Sequence, residues 1–256
     1  MPHNGYHIGD DQSEWVTAFR GIKSILDDAG IVYWADMGTL LGLIRNGRLI
    51  VGDTDIDVSA KLSEAPRVLA LIPKFAALGY QVVVNDAEIY FNIPNRISIG
   101  IAFLQTTDSS AWIQFIVRPP RFDRLLKYFR RVAERIIYAD LHRNLPRAET
   151  AVYRIIPRWL RWPIRRCLFG ICQLFGEQQF AMVFPRWVVD SQTGWEFSGM
   201  TLRIPHPAED YIRLVYGDDW RVPNSRWRWE DVKAIDWHNP IRRRSDYHLF
   251  GPYDRD

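Results

Sequence analysis

Cysteine is nearly absent from this chain, which has only Cys167 and Cys172 among its 256 residues. Two cysteines five positions apart on a predicted helix argue against a disulfide-stapled scaffold, and we expect both to be reduced and buried. No cluster of histidine and cysteine has the spacing of a structural zinc site. Long apolar runs are missing too: no uncharged stretch could span a membrane, and the N-terminus lacks the apolar region of a signal peptide. These absences predict a cytoplasmic protein.

Nucleic-acid-binding motifs are also absent, so the net charge of +3 does not indicate a nucleic-acid partner. Hydrophobic residues make up 47% of the chain and charged residues 25%, as in ordinary globular proteins. A chain of this length can bury a substantial core as one domain or as a domain with an insert. We predict a single domain over residues 1–256, with a helical insert at about 118–180.

Three aspartates at a spacing of two residues, Asp53, Asp55 and Asp57, are the strongest functional signal. If the segment is a strand, alternate side chains share one face, so the three carboxylates project together. Like charges this close resist joint ionisation unless a cation lies between them. Mg²⁺ prefers oxygen and takes one or two carboxylates plus substrate phosphates. The triplet therefore predicts a Mg²⁺ or Mn²⁺ site.

Two other interpretations of the triplet stay open. A calcium loop of the EF-hand kind needs Gly at its sixth position and Glu at its twelfth. Counted from Asp53, Glu64 fits the twelfth position, but Val58 stands at the sixth and Lys61 at the ninth, where a ligand oxygen is wanted. The second alternative is a plain solvated loop without a metal.

A glycine-containing turn upstream of the triplet predicts an anion-binding helix start. Residues 31–35 are rich in β-branched and aromatic side chains and predict a buried strand, and a short helix is expected at 40–44. The turn between a strand and a helix presents free backbone N–H groups to a phosphate. Gly38 and Gly42 would allow close backbone approach, and the Thr39 hydroxyl could bind a phosphate oxygen. An ordinary helix start is the alternative.

The order Gly-Thr-Leu-Leu-Gly-x-x-Arg at 38–45, followed by Asp-x-Asp-x-Asp at 53–57, resembles the LicD/fukutin family of phosphotransferases. Residues 197–205 and 211–220 resemble the family's C-terminal block, in which a Tyr-Gly-Asp turn closes a short helix. The similar segments, 13–60 and 195–223, cover under a third of the chain. The usual Trp-Asp start of the acidic motif is Gly52-Asp53 here.

This resemblance implies a metal-dependent transfer of a phospho-alcohol, of the phosphocholine or polyol-phosphate type, from a CDP-linked donor to a hydroxyl of a glycan or lipid-linked glycan. The metal pair of the family corresponds to Asp55 and Asp57, with Asp53 as a second-metal ligand or the base. The residues implied at the donor are Gly38, Thr39, Gly42, Arg45, Tyr216, Gly217 and Asp218. A nucleotidyltransferase proper and a non-catalytic binding protein are the alternatives.

One departure from the family pattern concerns the catalytic base. Family members often carry another acid on a later strand, but the corresponding segment here, 96–104, has none. Asp86, Glu88 and Asp108 lie on or beside the later strands. We expect Asp108 to substitute for the missing acid, because it follows the strand in question, and we place Glu88 second.

Apolar periodicity predicts a mixed α/β fold, which the resemblance identifies as a nucleotidyltransferase-like core sheet flanked by helices. Helical spacing of apolar residues begins at Ser13 and ends at Gly30, and a second such pattern covers 63–78. Alternating or continuous apolar runs predict strands at 81–84, 88–93, 97–104 and 112–117.

The segment from Arg118 to Arg166 is strongly basic, with 14 Arg and Lys residues against four Asp and Glu. Within it, Arg154, Arg158, Arg161 and Arg165 fall on one helical face. Neighbouring Trp and aliphatic residues make 154–175 a basic amphipathic segment that could lie on the inner, anionic face of a membrane. A helix packed on the core with its Arg face in water, or Arg side chains that pair with donor phosphates, are the alternatives.

Overall fold

The computed structural model describes residues 7–93, 97–118, 123–146, 150, 153–241 and 247–250. They form a mixed α/β fold, as predicted. The helices are α1 (Ser13–Asp28), α2 (Met37–Asn46), α3 (Ala65–Ala70), α4 (Ile72–Ala77), α5 (Asp123–Arg135), α6 (Arg158–Leu174), α7 (Trp187–Asp190) and α8 (Ala208–Tyr216). The strands are β1 (Tyr33–Ala35), β2 (Ile56–Lys61), β3 (Gln81–Val84), β4 (Glu88–Ile93), β5 (Ile97–Thr106), β6 (Ser110–Arg118), β7 (Gln178–Pro185), β8 (Gln192–Phe197) and β9 (Met200–Pro205).

Seven of the described strands form one mixed sheet. Its order is β1-β2-β5-β4-β3, and β6 extends it by pairing with the end of β5 and with β7. Only the β2–β5 pair is parallel; the other pairs described in this sheet are antiparallel. Because β2 lies beside β5 and β5 beside β4, residues of three strands are brought side by side at the centre of the sheet.

The second predicted helix, over 63–78, is wrong as a single element. The chain forms a 3-10 turn at Leu62–Glu64 and then two short helices, α3 and α4. Pro73 lies at the start of α4, where its missing N–H costs nothing, whereas inside a continuous helix it would break a hydrogen bond.

Helices pack against the strands of the sheet and against one another. On α1 the predicted apolar stripe is buried, including Trp15, Phe19 and Ile22. Helix α8 packs against α2, and the separate hairpin β8–β9 contacts β1 through β9. Helices α5 and α6, which lie between β6 and β7 in the sequence, pack on each other. The predicted insert at 118–180 is described only in part, since residues 119–122, 147–149, 151 and 152 lie outside the described residues.

The predicted arginine face of α6 does not lie in water as a whole. Arg161 and Arg165 are 6% and 0% exposed, whereas Arg154 and Arg158 are exposed. Arg161 pairs with Asp140, at 3.0 Å from Nη1 to Oδ2, and Arg165 pairs with Asp86 at 2.8 Å. Buried guanidinium groups are tolerated where carboxylates compensate them, and here the compensating acids are distant in sequence.

Helix α6 continues through Pro163, which lies inside it without dividing it. None of the helices in the described part of the chain is both long and apolar enough to traverse a lipid bilayer.

Candidate functional site

The aspartate triplet lies at the entry of β2, but only Asp57 belongs to the strand, because β2 begins at Ile56. Asp53 and Asp55 precede it in an irregular segment, which corrects the prediction of one strand over all three. Burial, then the Asp53 carboxylate, raise the pKa of Asp55 to about 7. Burial and the charges of Asp55 and Asp53 raise the pKa of Asp57 well above its usual value. The three predicted carboxylates therefore crowd one another at the site.

A glycine on the neighbouring strand opens space beside Asp57. In the sheet register Asp57 pairs with Gly100, and Gly100 pairs with Tyr90. A Cβ at Gly100 would lie 3.1 Å from Cε1 of Tyr90 and 3.7 Å from Oδ1 of Asp57. Any larger side chain at this position would fill the gap between the two. Strand β5, which lacks the expected acid, thus leaves space beside Asp57 at Gly100.

Glu88 supplies an acid on the next strand. It lies two residues before Tyr90 on β4, so both side chains share a sheet face. The Tyr90 hydroxyl donates to Oε2 of Glu88 at 2.5 Å, and the Asn85 amide nitrogen lies 3.3 Å from the same oxygen. Burial raises the pKa of Glu88, and its charge in turn helps to raise the pKa of Asp55 and Asp57. Glu88 is therefore within electrostatic reach of the triplet.

The favoured substitute acid, Asp108, was the wrong choice. It lies exposed in the turn between β5 and β6, beyond Thr106. Thr106 is six residue steps along β5 from Gly100, a distance of roughly 20 Å at ~3.3 Å per residue. Asp86, the third candidate, is 7% exposed and bound to Arg165.

Asp36 is a buried carboxylate that the sequence analysis did not assign to the site. It is 2% exposed and accepts hydrogen bonds from the Met37 backbone at 2.8 Å and from the hydroxyls of Ser59 and Tyr211. Burial raises its pKa, and these three donors oppose the shift. The single carboxylate joins the N-terminus of α2 to β2 and α8. Its position at the N-cap, directly before the glycine turn, was the available signal.

The predicted phosphate-binding turn holds the acidic segment. A Cβ at Gly38 would lie 2.7 Å from Oδ2 of Asp53, so this glycine admits the aspartate. The Thr39 hydroxyl is buried and accepts from the Asp57 backbone N–H at 2.8 Å. These contacts fix the carboxylates against α2, and phosphate binding by Gly38 and Thr39 stays a prediction.

Gly42 has a packing role in the structure. It lies inside α2, and a Cβ there would be 2.6 Å from the carbonyl oxygen of Arg48 and 3.0 Å from the nitrogen of Ile50. The close approach predicted for this glycine is that of the chain's own 48–50 segment, so its predicted contact with phosphate has no support in this geometry.

Of the predicted donor-side residues, Tyr216 borders the acidic cluster and Arg45 lies near Tyr216. The Arg45 guanidinium lies 3.5 Å from the Trp220 carbonyl oxygen, and burial lowers its pKa. Burial and the nearby charges of Asp57 and Asp36 raise the pKa of Tyr216 well above its usual value. Gly217 ends α8 with a φ of 86°, and Asp218 after it is exposed.

A row of aromatic rings leads from Tyr216 to Trp229, which lines a cavity beside the acidic groups. The Tyr216 ring lies 5.0 Å from that of Trp227, which lies 5.2 Å from that of Trp229. Trp229 lines a cavity of about 300 Å³ together with the acidic groups. The other lining residues include Asp36, Asp55, Asp57, Glu88, Tyr90 and Gly100. Trp229, Tyr90 and Gly100 were not predicted as site residues, because their approach depends on sheet register and on a distant loop.

The acidic groups of the site carry the oxygen ligands that a hard divalent cation prefers. Within the described ranges, no three His, Cys, Asp or Glu side chains are grouped so that they could hold a metal ion by themselves. Mg²⁺ does not require such a group, since it keeps several waters and binds through one or two carboxylates plus substrate phosphates. Crowded carboxylates with raised pKa values are the groups that such a cation would stabilise in their charged form.

Comparison with known proteins gives a family match over the part of the chain that forms this site. The family model "LicD/FKTN/FKRP, nucleotidyltransferase domain" matches residues 30–108. The uncharacterized protein RP689 of Rickettsia prowazekii is 34% identical over 82 residues, which cover 32% of this chain and 30% of that protein. The uncharacterized protein RT0683 of Rickettsia typhi is 33% identical over 66 residues, which cover 26% and 21%. The matches thus span less than a third of either relative.

Among the solved structures that match is one titled "Crystal Structure of ANT(2")-Ia in complex with adenylyl-2"-tobramycin". It is 16% identical, with a TM-score of 0.32, and the alignment covers 62% of this chain and 99% of that chain. A likeness at this level carries no argument about either chain.

Proposed function

We propose, because residues 30–108 match the model of the LicD/FKTN/FKRP family, that this protein is a metal-dependent phosphotransferase that moves a phospho-alcohol from a CDP-linked donor to a glycan hydroxyl. The match suggests a transferase of the phosphotransferase or nucleotidyltransferase type. The observation that carries the finer proposal is the crowding of Asp55, Asp57 and Glu88 around one open cavity. Such a carboxylate cluster is suited to a cation-bound diphosphate.

In this proposal Asp55 and Asp57, with Asp53 beside them, would hold Mg²⁺ or Mn²⁺, which neutralises charge on the donor phosphates when bound. The acceptor oxygen attacks the phosphorus that carries the alcohol, the P–O–P bond breaks, and CMP leaves with the bridging oxygen. Tyr216 lies beside the acids and Arg45 near Tyr216, where the arginine can pair with a phosphate.

Glu88 is the proposed base that takes the hydroxyl proton of the acceptor. Its pKa is raised by burial, which makes it a better proton acceptor than an ordinary carboxylate. Tyr90 and Asn85 hold its side chain in one orientation. Asp53 is the alternative base, and its approach to Gly38 keeps it next to the metal pair.

The test is incubation of the full chain with Mg²⁺, a panel of CDP-alcohols and glycan acceptors, followed by phosphorus NMR of the products. Release of CMP with a new phosphodiester on the acceptor supports the proposal. The family description also names a nucleotidyltransferase domain, so a second candidate is transfer of a nucleoside monophosphate. Release of pyrophosphate from a nucleoside triphosphate would support that activity and overturn the first.

A further inference from the structure

The outer surface of α6 exposes large apolar side chains. Trp159 is 75% exposed, Trp162 37% and Leu174 86%, and the residues flanking the helix, Ile155 and Phe175, are 79% and 47% exposed. We call these five residues with Arg166 the outer α6 face; the exposed side chain of Arg158 lies at its edge, since Arg158 shares the helical side of Arg161 and Arg165. A group of exposed apolar side chains of this size is unusual on a monomer and marks an interaction surface.

Helical spacing places the key groups together. Trp159, Trp162 and Arg166 are three and four positions apart, so they share one side of the helix. The side with Arg161, Arg165 and Cys172 is buried, and Trp162 borders it, seven positions before the buried Phe169. The helix is therefore held to the protein by one face and presents tryptophan and arginine on the other.

The charge of the outer face has one sign. No Asp or Glu occurs between Glu149 and Glu177 in the sequence. Arg166 is exposed, and the side chain of Arg158 is 83% exposed. Arg158 contacts Asp140 at 2.8 Å, but that carboxylate is shared with Arg161, so one positive charge remains on the three groups.

Helix α5, which packs on α6, exposes residues of the same chemistry. Leu125 and Tyr128 are 62% and 51% exposed, and Arg124, Lys127 and Arg131 are exposed as well. Aromatic contact also extends the outer face toward the C-terminal residues, since the Trp162 ring lies 4.9 Å from that of His248. The cationic and aromatic surface is thus broader than one helix.

We propose that the outer α6 face docks on an anionic lipid surface. Tryptophan favours the boundary between headgroups and acyl chains, and arginine binds lipid phosphates, so the face matches both layers of such a surface. A second copy of this chain fits less well, because two such faces would bring arginine against arginine without an acid between them. The proposal is independent of the transfer reaction.

The experiment is co-sedimentation of the full chain with vesicles that contain neither donor nor glycan. We expect binding to phosphatidylglycerol vesicles at low salt, weaker binding at high salt, and little binding to phosphatidylcholine vesicles. The double variant Arg158→Glu/Arg166→Glu should lower the partition coefficient by roughly a hundredfold or more. Trp159→Ala/Trp162→Ala should lower it by roughly tenfold or more.

The matched control is Lys74→Glu/Arg203→Glu, which makes the same charge change at two exposed positions away from α5 and α6. It should bind like the wild type, and circular dichroism should show all variants folded. Failure of the wild type to bind anionic vesicles would overturn the proposal. So would equal losses in the control, or sedimentation equilibrium showing a dimer that the Trp159→Ala/Trp162→Ala variant loses.

Discussion

Two regions of this molecule hold carboxylates away from ordinary solvent exposure, and the surroundings of the charge differ between them. At the entry of β2, Asp55 and Asp57 lie among other acids, and both pKa values are raised. Under α6, Asp86 is paired with Arg165, and hydrogen bonds from Arg161 hold the pKa of Asp140 below its usual value. The paired acids need nothing from outside the fold, whereas the crowded acids favour a bound cation. The acids with arginine partners therefore belong to the scaffold, and the crowded acids mark the candidate functional site.

The largest expected effect is on turnover. Asp55→Asn and Asp57→Asn should each reduce transfer to background while the fold stays intact, because each removes a proposed metal ligand and costs several kcal/mol of transition-state stabilisation. The readout is CMP release at saturating Mg²⁺, with circular dichroism as the control. Turnover near the wild-type rate in either variant would remove the metal assignment.

Arg165→Met should have the opposite pattern, a large loss of stability. It leaves the Asp86 carboxylate buried without its cation, so we expect the free energy of unfolding to fall by about 3–5 kcal/mol. Urea denaturation measures this change. The double variant Arg165→Met/Asp86→Leu removes both charges and should recover much of the loss; equal instability of single and double variants would contradict a charge-based explanation.

Glu88→Gln tests whether an acid on β4 serves as the base. Loss of general base catalysis typically costs 10²–10⁴-fold, so we expect turnover to fall by about 10²-fold or more with little change in stability. Asp108→Asn is the matched control and should be active, since its side chain lies at the far end of β5. An active Glu88→Gln variant would point to Asp53 or to a donor phosphate as the proton acceptor.

The two regions should also give stability slopes of opposite sign with pH. Asp55 titrates at about 7 when folded, against a reference of 3.8, so without metal the folded state holds a proton that the unfolded chain has lost. Unfolding free energy should therefore fall, by on the order of 2 kcal/mol, as pH rises from 4 to 7. Asp55→Asn should remove this part of the slope.

The smallest expected effect is the pH dependence that Asp140 gives to the unfolding free energy, which serves as the comparison for Asp55. The pKa of Asp140 is lowered in the folded state, so its contribution is present above the unfolded value and is lost as pH falls below about 4. Because the side chain of Asp140 is 43% exposed, we expect Asp140→Asn to change the free energy of unfolding by less than about 1 kcal/mol. Denaturation at several pH values measures both slopes, and slopes of the same sign would contradict the assignments.

The sequence was sufficient wherever the signal was local. Alternation of apolar residues predicted the bounds of β3 and β4, and the Asp spacing predicted the crowded carboxylates. Both depend on neighbouring positions along one strand. The strand start was misplaced because nothing local distinguishes Asp55 in an extended segment from Asp57 in β2.

The predictions that failed were those that depend on contacts between residues distant in sequence. Helical spacing correctly grouped Arg161 and Arg165 on a common face, but it could not say that this face turns inward, because the partner Asp86 is 79 residues from Arg165. Likewise, the nearness of Glu88 to Asp57 follows from the register of β4, β5 and β2, which pairing across the sheet determines. Asp108 follows the expected strand in sequence, which made it the favoured acid. Because β5 runs away from Asp57 after Gly100, Asp108 lies far from the site.

The sheet register around Asp57 has a consequence for the classification of related chains. Gly100 and Glu88 lie on the same sheet face as Asp57, where the glycine leaves room and the glutamate supplies an acid. A survey that looks for an acid only on the strand of Gly100 would sort this chain with members that lack one. A survey that scores β4 and β5 jointly would expect the two positions to covary, with a small residue on β5 wherever β4 carries the acid.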